Sequence, residues 1–419
     1  MSMNQTPASE RVHIGFFGRR NAGKSSLINA VTGQNLSIVS DVKGTTTDPV
    51  YKTMELLPLG PVMIIDTPGI DDSGELGTLR VKKSYQVLNK TDIGILVVDG
   101  TLGLSREDRE LLKKFREKGL PHLLVFNKAD QVEDASLQYS EELLKEAITE
   151  SGDTEESCLW VSSSTGQNIH ELKERIAALK PEDTHEFPLI GDLISPMDLI
   201  LLVVPIDKAA PKGRLILPQQ QTIRAILEER ASCLVVQDTE LKATLDKLLI
   251  GGVRPALVVT DSQAFARVSQ DVPEDIPLTS FSILFARYKG NLKSAVEGIA
   301  ALQTVTDGDK VLIAEGCTHH RQCNDIGTVK LPGWIREYTH AEPEFFFTSG
   351  TEFPEDLTPY KLVVHCGACM LNEREMRYRA ACCKDQNVSV TNYGILIAEV
   401  TGILKRSLEV FPDILSLLD

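Results

Sequence analysis

The feature that most constrains the fold is GRRNAGKS, the segment Gly18–Ser25. It has the pattern of a phosphate-binding loop (P-loop), a glycine followed by four residues and then Gly-Lys-Ser. The apolar run before it, residues 12–18, reads as a short strand, and residues 24–33 read as a helix that ends at Gly33. A strand, a glycine-rich turn and a helix in this order favour an α/β fold that binds a phosphate group at the start of the helix.

Alternation of strand-like and helical segments continues along the chain. Apolar runs at PVMIID, IGILVVD, LLVFNKAD and LWVSSS are mostly separated by amphipathic stretches, which predicts a doubly wound parallel sheet with helices on both faces. A charged, proline-containing segment at 179–187 ends this first unit, and a turn-rich segment near 269–277 ends a second one. We therefore expect a P-loop domain at residues 11–178 and two further α/β domains at 187–272 and 276–419.

Two motifs that follow the P-loop are typical of a nucleotide switch. GTTTD, residues 44–48, offers a threonine for Mg²⁺, which we expect to be Thr46. DTPG, residues 66–69, offers the Asp66 carboxylate for the water shell of the metal and the Gly69 N–H for the γ-phosphate. Within the P-loop, Lys24 is expected to bridge phosphate oxygens and the Ser25 hydroxyl to ligate Mg²⁺.

Two later motifs indicate that the base is guanine. In NKAD, residues 127–130, the Asp130 carboxylate can accept hydrogen bonds from both N1–H and the 2-amino group of guanine, a donor pair that adenine lacks. SSS, residues 162–164, occupies the place of the loop that meets the guanine oxygen. The first domain is thus expected to be a GTPase domain. The residues expected to contact GTP or GDP are Gly18, Asn21, Ala22, Gly23, Lys24, Ser25, Ser26, Asn127, Lys128, Asp130, Ser162, Ser163 and Ser164, and those expected to take part in catalysis are Lys24, Thr46, Asp66 and Gly69.

Charge and hydropathy narrow the choice of partners. The chain has 44 basic and 59 acidic residues, and this net charge of −15 disfavours binding to nucleic acid. The first ten residues lack the features of a signal peptide, and the longest apolar run, Leu199–Val204, is much shorter than the ~20 residues of a membrane span. We expect a cytoplasmic protein that binds neither nucleic acid nor a membrane and whose cysteines stay reduced.

A second cluster of reactive side chains lies near the carboxyl end of the chain. GCTHHRQCNDIG, residues 316–327, follows the strand-like KVLIAE, and HCGAC, residues 365–369, follows the strand-like KLVV. If these two strands are parallel neighbours, their ends meet at one edge of a sheet and the thiols of Cys317, Cys366 and Cys369 converge.

Three chemistries compete for this cluster. An iron–sulfur cluster with three thiolates and one weaker ligand fits the number of cysteines. A Cys2His2 or Cys3His zinc site has enough ligands, although Cys317 with His319 is an unusual half-site. A redox Cys-x-x-Cys pair would leave Cys317 unexplained.

The first domain resembles GTPases of the Era and tRNA-modification type over residues 11–178. The resemblance implies that Asn21 helps to hold a potassium ion against the phosphates, so that K⁺ can supply charge that an arginine otherwise brings. Ile70 stands where Ras-like enzymes hold a water-orienting glutamine, which implies slow intrinsic hydrolysis. Glu75 is a candidate for orienting the water, with a solvent-exposed switch glutamate as the alternative.

Over nearly its full length the chain resembles the FeFe-hydrogenase maturation GTPases. The resemblance rests on the order of the three domains, on the Cys-x-His and His-Cys-x-x-Cys motifs, and on PKGRLILPQQQ at 211–221 and NYGILIAE at 392–399. It implies that the middle domain forms a homodimer and that Cys317, Cys366 and Cys369 hold a 4Fe-4S cluster. The labile fourth ligand is expected to be His319 or His365, with Asp325 and water also open.

The resemblance also implies a function and partners. The protein would be a GTPase that acts as scaffold and carrier of the diiron subcluster during H-cluster maturation, with apo-hydrogenase and radical-SAM maturation enzymes as partners. Two rival readings stay open: a tRNA-modifying GTPase, although that family ends in a cysteine-containing tail and this sequence ends DILSLLD, and a zinc-stapled GTP switch that binds a protein partner. Cys323, Cys382 and Cys383 are expected to be packing thiols.

Overall fold

The structure is a computed structural model, and it divides the chain into two compact units, Met1–Thr184 and His185–Asp419. None of the helices in the described part of the chain combines the length and the apolarity that a membrane crossing requires. The residues that the structure describes are 10–33, 49–70, 84, 86–132, 157–179, 187–206, 215–316, 325–350, 352–367 and 371–418.

The first unit is built on a six-stranded sheet in the order β2-β3-β1-β4-β5-β6. The expected doubly wound α/β domain is confirmed, because successive residues of the central strands enter separate cores on the two faces: Phe16 packs on one side and Phe17 on the other. The elements are β1 Val12–Phe17, α1 Lys24–Thr32, β2 Val50–Leu56, β3 Gly60–Asp66, β4 Ile93–Asp99, α2 Arg106–Glu117, β5 His122–Asn127, β6 Cys158–Trp160 and α3 Ile169–Ala178.

Strand β2 departs from the expected parallel sheet. It pairs antiparallel with β3, whereas the other pairs in this sheet are parallel. β2 is the edge strand and its residues are mostly exposed, so it lacks the continuous apolar run by which the buried parallel strands were recognised. The predicted end of α1 is confirmed: Gly33 caps the helix in the left-handed conformation, with φ of 68°.

The second unit contains two four-stranded parallel sheets, ordered β10-β9-β7-β8 and β12-β11-β13-β14. One hydrophobic core includes residues from both, such as Ile200 of the first sheet and Ile313 of the second. The domain boundaries expected from the sequence stay predictions. The elements are β7 Leu199–Val203, α4 Leu217–Glu228, β8 Ser232–Val236, α5 Leu241–Ile250, β9 Leu257–Thr260, α6 Phe265–Asp271, β10 Leu278–Ser280, α7 Phe281–Tyr288, α8 Leu292–Ile299, β11 Lys310–Ala314, α9 Leu331–Thr339, β12 Glu344–Thr348, β13 Leu362–His365, α10 Glu373–Asp385, β14 Ser389–Asn392, α11 Tyr393–Val400, α12 Leu404–Ser407 and α13 Pro412–Leu415.

Short single-turn helices join several of these elements. A π-helix at Ile326–Lys330 leads into α9, and the side chain of Asp325, its N-cap, accepts a hydrogen bond from the Thr328 N–H. The 3-10 helices are Ala129–Gln131, Gly191–Leu193, Asp238–Glu240, Ser262–Ala264, Ala300–Thr304 and Ser416–Leu418.

Candidate functional site

The P-loop is folded around the ammonium group of its own lysine. Lys24 Nζ donates hydrogen bonds to the carbonyl oxygens of Gly18 and Arg19, both at 2.8 Å. Gly18, Asn21 and Gly23 have φ values of 141°, 62° and 89°, so the loop uses the left-handed backbone region three times. A Cβ atom at Gly23 would overlap with Nδ2 of Asn127, and glycine is therefore required where the loop meets the next motif.

Two of the residues predicted to organise Mg²⁺ are in direct contact. Ser25 Oγ donates a hydrogen bond of 2.6 Å to Asp66 Oδ2, across 41 residues of sequence. Burial raises the pKa of Asp66, against the opposing effects of the Ser25 hydrogen bond, the Lys24 charge and the Lys52 charge. A cation beside this pair would favour the ionised carboxylate.

The base-recognition motif and the serine loop are tied to the P-loop through one buried side chain. Asn127 Nδ2 donates to the Ala22 carbonyl at 3.0 Å, and its Oδ1 accepts from the Ser163 N–H at 3.1 Å. Asn127 is fully buried, so both ends of its amide are satisfied inside the protein. Three segments that are far apart in sequence thus form one pocket wall.

Asp130 lies exposed at the rim of this wall. Its two carboxylate oxygens accept hydrogen bonds from Ser162 Oγ at 2.5 Å and from Ser164 Oγ at 2.9 Å. These two bonds lower the pKa of Asp130, so the group is an ionised acceptor at neutral pH. Lys128 of the same motif contacts the end of β4, where its Nζ donates to Asp99 Oδ2 at 2.5 Å.

Of the other residues predicted for the nucleotide site, Ser26 lies in the first turn of α1, and Gly69 follows the carboxyl end of β3. Ile70 is 7% exposed and belongs to the hydrophobic core. Thr46 and Glu75 lie outside the described residues.

The second predicted site lies where β11 and β13 end. The two strands are parallel neighbours, with Ala314 aligned to His365, so the condition on which convergence of the two motifs depends is met. The Gly316 N–H donates a hydrogen bond of 3.0 Å to Cys366 Sγ, and the Cys366 N–H donates to the Ala314 carbonyl at 2.9 Å. Cys366 is therefore held against the residue that directly precedes Cys317.

The two other cysteine ligands and one candidate fourth ligand are not described. Cys317, Cys369 and His319 lie outside the described residues, as does Cys323, which was expected to be a packing thiol. Within the described part of the chain, no group of three or more histidine, cysteine, aspartate or glutamate side chains is placed to hold a metal ion.

Both ring nitrogens of His365 have protein partners. Nδ1 lies 2.9 Å from the Cys366 carbonyl oxygen, and Nε2 lies 2.9 Å from Nη1 of Arg379. A carbonyl can only accept and a guanidinium can only donate, so the proton of the neutral ring lies on Nδ1. His365 is 3% exposed and Arg379 is 2% exposed, which places this pair inside the second unit.

Acidic and phenolic groups surround the same strand ends. Tyr393 Oη donates to Glu315 Oε1 at 3.3 Å, and burial, followed by the nearby Cys366, Glu315 and Asp325, raises the pKa of Tyr393. The phenol is therefore neutral at neutral pH.

Burial also raises the pKa of Cys383 to about 12, so this buried thiol stays protonated and unreactive at neutral pH, as a packing residue would.

Sequence reasoning missed Lys52, Glu375 and Arg379. Lys52 lies on β2, the edge strand that was not recognised. Glu375 and Arg379 form an i, i+4 pair on α10, at a Nε–Oε1 distance of 2.8 Å. That spacing was visible, but such pairs usually lie on solvent-exposed helix faces, so it gave no sign of burial.

Comparison with known proteins places these two sites in a family context. Residues 13–128 match the profile of the 50S ribosome-binding GTPase family. Residues 189–290 match the hydrogen maturase F dimerization domain, and residues 293–410 match the hydrogen maturase F tetramerization domain. The two maturase profiles together match more than half of the chain.

Individual relatives match part of the chain. GTPase Der of Kosmotoga olearia is 30% identical over 194 residues, which cover 44% of this chain and 43% of that protein. The tRNA modification GTPase MnmE of Dechloromonas aromatica is 33% identical over 131 residues, which cover 31% of this chain and 29% of that protein. The chain thus spans less than half the length of these relatives. The solved structure of Era from Aquifex aeolicus is 21% identical, covers 54% of this chain and 92% of that one, and has a TM-score of 0.37.

Both maturase domains follow a GTPase domain in a single sequence, and the chain therefore belongs to the hydrogen maturase F family of hydrogenase maturation GTPases.

Proposed function

We propose that this protein hydrolyses GTP and serves as scaffold and carrier for the diiron precursor of FeFe-hydrogenase, which it holds at a C-terminal 4Fe-4S cluster. The observation that carries the proposal is the placement of Cys366 Sγ beside Gly316, at the common edge of β11 and β13. This contact joins the residue directly before the Cys-x-His motif to the first cysteine of the His-Cys-x-x-Cys motif. The first unit of the same chain links its P-loop, NKAD and serine segments through Asn127.

In the GTPase reaction the residues of the first unit bind and orient the nucleotide. Asp130 accepts hydrogen bonds from the guanine base, and the P-loop amides with Lys24 hold the phosphates. Ser25, Thr46 and Asp66 would hold Mg²⁺, which neutralises charge on the phosphate oxygens when bound. The Ser25 and Asp66 oxygens, already 2.6 Å apart, suit such a hard cation.

Asn21 is the residue proposed to hold potassium. Asn21 lies in the P-loop between Arg20 and Ala22, and its positive φ of 62° marks a turn of the backbone there. An amide oxygen is a suitable ligand for a weakly hydrated monovalent cation next to the phosphates. The ion would add positive charge to a site in which Ile70 replaces a water-orienting glutamine.

At the second site Cys317, Cys366 and Cys369 would hold the cluster. The donor chemistry fits, because Cys366 accepts a backbone N–H bond at sulfur, an interaction that stabilises a thiolate. When bound, the cluster would offer one exchangeable iron position at which the diiron cargo can dock. The occupied ring nitrogens of His365 favour His319 as the histidine that could reach that iron, with Asp325 and water still open.

We infer that two strands at the edges of the described sheets of the second unit form the contacts between copies of this chain. β8 borders one sheet of the second unit within the dimerization match, and β12 borders the other within the tetramerization match. Leu234 and Val235 on β8 are 36% and 40% exposed, and Phe346 on β12 is 38% exposed. Apolar edge strands of this kind readily pair with a strand of another copy. Two such self-complementary contacts can close a tetramer.

The base assignment predicts a change of nucleotide preference in Asp130→Asn. The asparagine amide can donate a hydrogen bond to the carbonyl that xanthine presents. It can no longer accept both of the hydrogen bonds that guanine donates from N1–H and the 2-amino group. We expect GTP to bind at least about tenfold more weakly and xanthosine triphosphate to bind more tightly than to the parent protein. A fluorescence titration with both nucleotides measures this, and the xanthine nucleotide is the internal check that the fold survives. Unchanged GTP affinity would refute the assignment.

The potassium proposal predicts a salt-specific rate. GTP hydrolysis by the parent should rise about tenfold or more when K⁺ replaces Na⁺ at equal ionic strength, because the bound ion adds charge at the phosphates. Asn21→Gly should abolish the difference, since glycine keeps the positive φ while removing the amide. A phosphate-release assay in the two salts decides the matter, and equal rates for the parent would end the proposal.

Substitutions at the two sites should impair iron binding and GTP turnover independently. Cys366→Ser should lose most of its iron while retaining GTP hydrolysis, because a serine oxygen is a poor ligand for a cluster that prefers thiolates. Lys24→Ala should retain iron and lose GTP turnover by at least about a hundredfold, since a charge that stabilises the transferring phosphate is gone. Neither variant should activate apo-hydrogenase.

Cys382→Ser is the matched control for these measurements. This half-buried cysteine on α10 is outside the proposed ligand set and should keep both iron and turnover. A Cys366→Ser protein that still activates hydrogenase fully would contradict the proposed carrier site.

The edge contacts predict distinct assembly states. With a chain mass of 46.1 kDa, light scattering should report a tetramer for the parent, a dimer for Leu234→Lys, a dimer for Phe346→Lys and a monomer for the double variant. Val329→Lys is the control, since this residue is 48% exposed but lies on the π-helix and not on a sheet edge. Single variants that assemble like the parent would refute both contacts.

A further inference from the structure

Arg379 is a buried arginine whose position on α10 gives it three separate anchors. Nε donates to Glu375 Oε1 at 2.8 Å, Nη1 to His365 Nε2 at 2.9 Å and Nη2 to the Gly350 carbonyl at 2.9 Å. The guanidinium carbon also lies 4.9 Å from the centre of the Phe353 ring. One side chain thus connects α10, the end of β13 and the segment after β12.

Burial makes the geometry of these contacts specific. Glu375 is 4% exposed and balances the charge of Arg379. The backbone of Glu375 is fixed at the start of α10, because its N–H donates a hydrogen bond of 3.1 Å to Asn372 Oδ1. A buried guanidinium keeps its orientation because each donor that turned away would lose its acceptor with no water to replace it. Arg379 therefore presents Nη1 to His365 in a fixed direction.

The orientation of His365 is transmitted to Cys366. Because Nε2 accepts from Arg379, Nδ1 carries the proton and donates to the Cys366 carbonyl. The same cysteine is bound at its N–H by the Ala314 carbonyl and at its sulfur by the Gly316 N–H. The backbone of Cys366 is thus held on both sides of its Cα atom.

We propose that Arg379 and His365 are positioning residues of the cluster site: Arg379 fixes the tautomer of His365, and His365 fixes the peptide that carries Cys366. This inference rests on the proposed cluster function and extends it, because it gives His365 the role of a hydrogen-bond donor to the cysteine loop and not that of an iron ligand. Glu375 completes the arrangement by balancing the buried charge.

Two substitutions of His365 separate the positioning role from a ligand role. In His365→Asn the amide Nδ2–H can replace Nδ1–H and still donate to Cys366, whereas the contact with Arg379 is lost. In His365→Gln the Oε1 atom can replace Nε2 and still accept from Arg379, whereas the bond to Cys366 is lost. The two variants are similar in polarity, so each serves as the control for the other.

The experiment is anaerobic reconstitution of the full-length parent and both variants, with iron and sulfide per chain, the affinity for the cluster and the EPR spectrum of the reduced protein as readouts. We expect His365→Asn to keep the parent spectrum and most of the iron, and His365→Gln to bind the cluster about 10- to 100-fold more weakly. If His365 were a ligand through Nε2, the order would be reversed and the spectrum of both variants would change. A reversed order, or equal loss in the two variants, overturns the inference.

A second measurement needs no cluster. Imidazole ¹⁵N NMR on metal-free protein, with His365→Gln used to assign the signal, should report the Nδ1–H tautomer of His365 in the parent. Arg379→Lys, which keeps the charge but not the planar fork of donors, should introduce the Nε2–H tautomer. An Nε2–H tautomer in the parent overturns the inference. If the parent binds no iron but shows the Nδ1–H tautomer, the proposed cluster function fails while the orientation of His365 by Arg379 stands.

Discussion

Parallel pairing of neighbouring strands is the constraint on which both sites depend. β1 pairs with β3 so that Phe16 aligns with Asp66, and the P-loop that follows β1 therefore meets the carboxylate at the end of β3. β11 pairs with β13 in the same sense, and the segments after Ala314 and His365 meet at one edge. Because parallel strands end at the same edge, residues 41 and 50 positions apart in sequence come into contact.

The two sites differ in the polar interactions that complete this arrangement. In the first unit the amide of Asn127 links the P-loop to the serine loop, so the pocket wall is held mainly by neutral hydrogen bonds. In the second unit the charged pair of Arg379 and Glu375 lies inside the protein and holds His365. A buried pair of this kind is costly to break by removal of one partner, about 3–5 kcal/mol in other proteins, so it favours one geometry over alternatives.

Local patterns in the sequence were sufficient to predict the P-loop, the end of α1 and the existence of β11 and β13, whereas the pairing of these two strands was only assumed as a condition. They were sufficient because a P-loop, a glycine C-cap and a buried parallel strand each have a signature within a few residues. β2, β10, β12 and β14 were missed: β2 and β12 are edge strands with largely exposed residues, and the three residues of β10 and four of β14 are too few to give a pattern. The segment SFSILFARYKGNLKSAVEGIAAL, residues 280–302, reads as one continuous helix in the sequence, but Gly290, with φ of 71°, separates α7 from α8. The role of Arg379 could not be predicted, since burial of a charged helix residue depends on contacts with Gly350 and His365 that only the tertiary structure creates.

The central claim is that the C-terminal motifs hold an iron–sulfur cluster in a chain that also binds GTP. The most direct test is metal and sulfide analysis of the anaerobically purified parent protein, combined with EPR of the reduced sample. The account predicts about four iron and four sulfide ions per chain, with the signal of a reduced 4Fe-4S cluster. Protein that contains zinc and no iron would contradict it and would favour a zinc-stapled GTP switch.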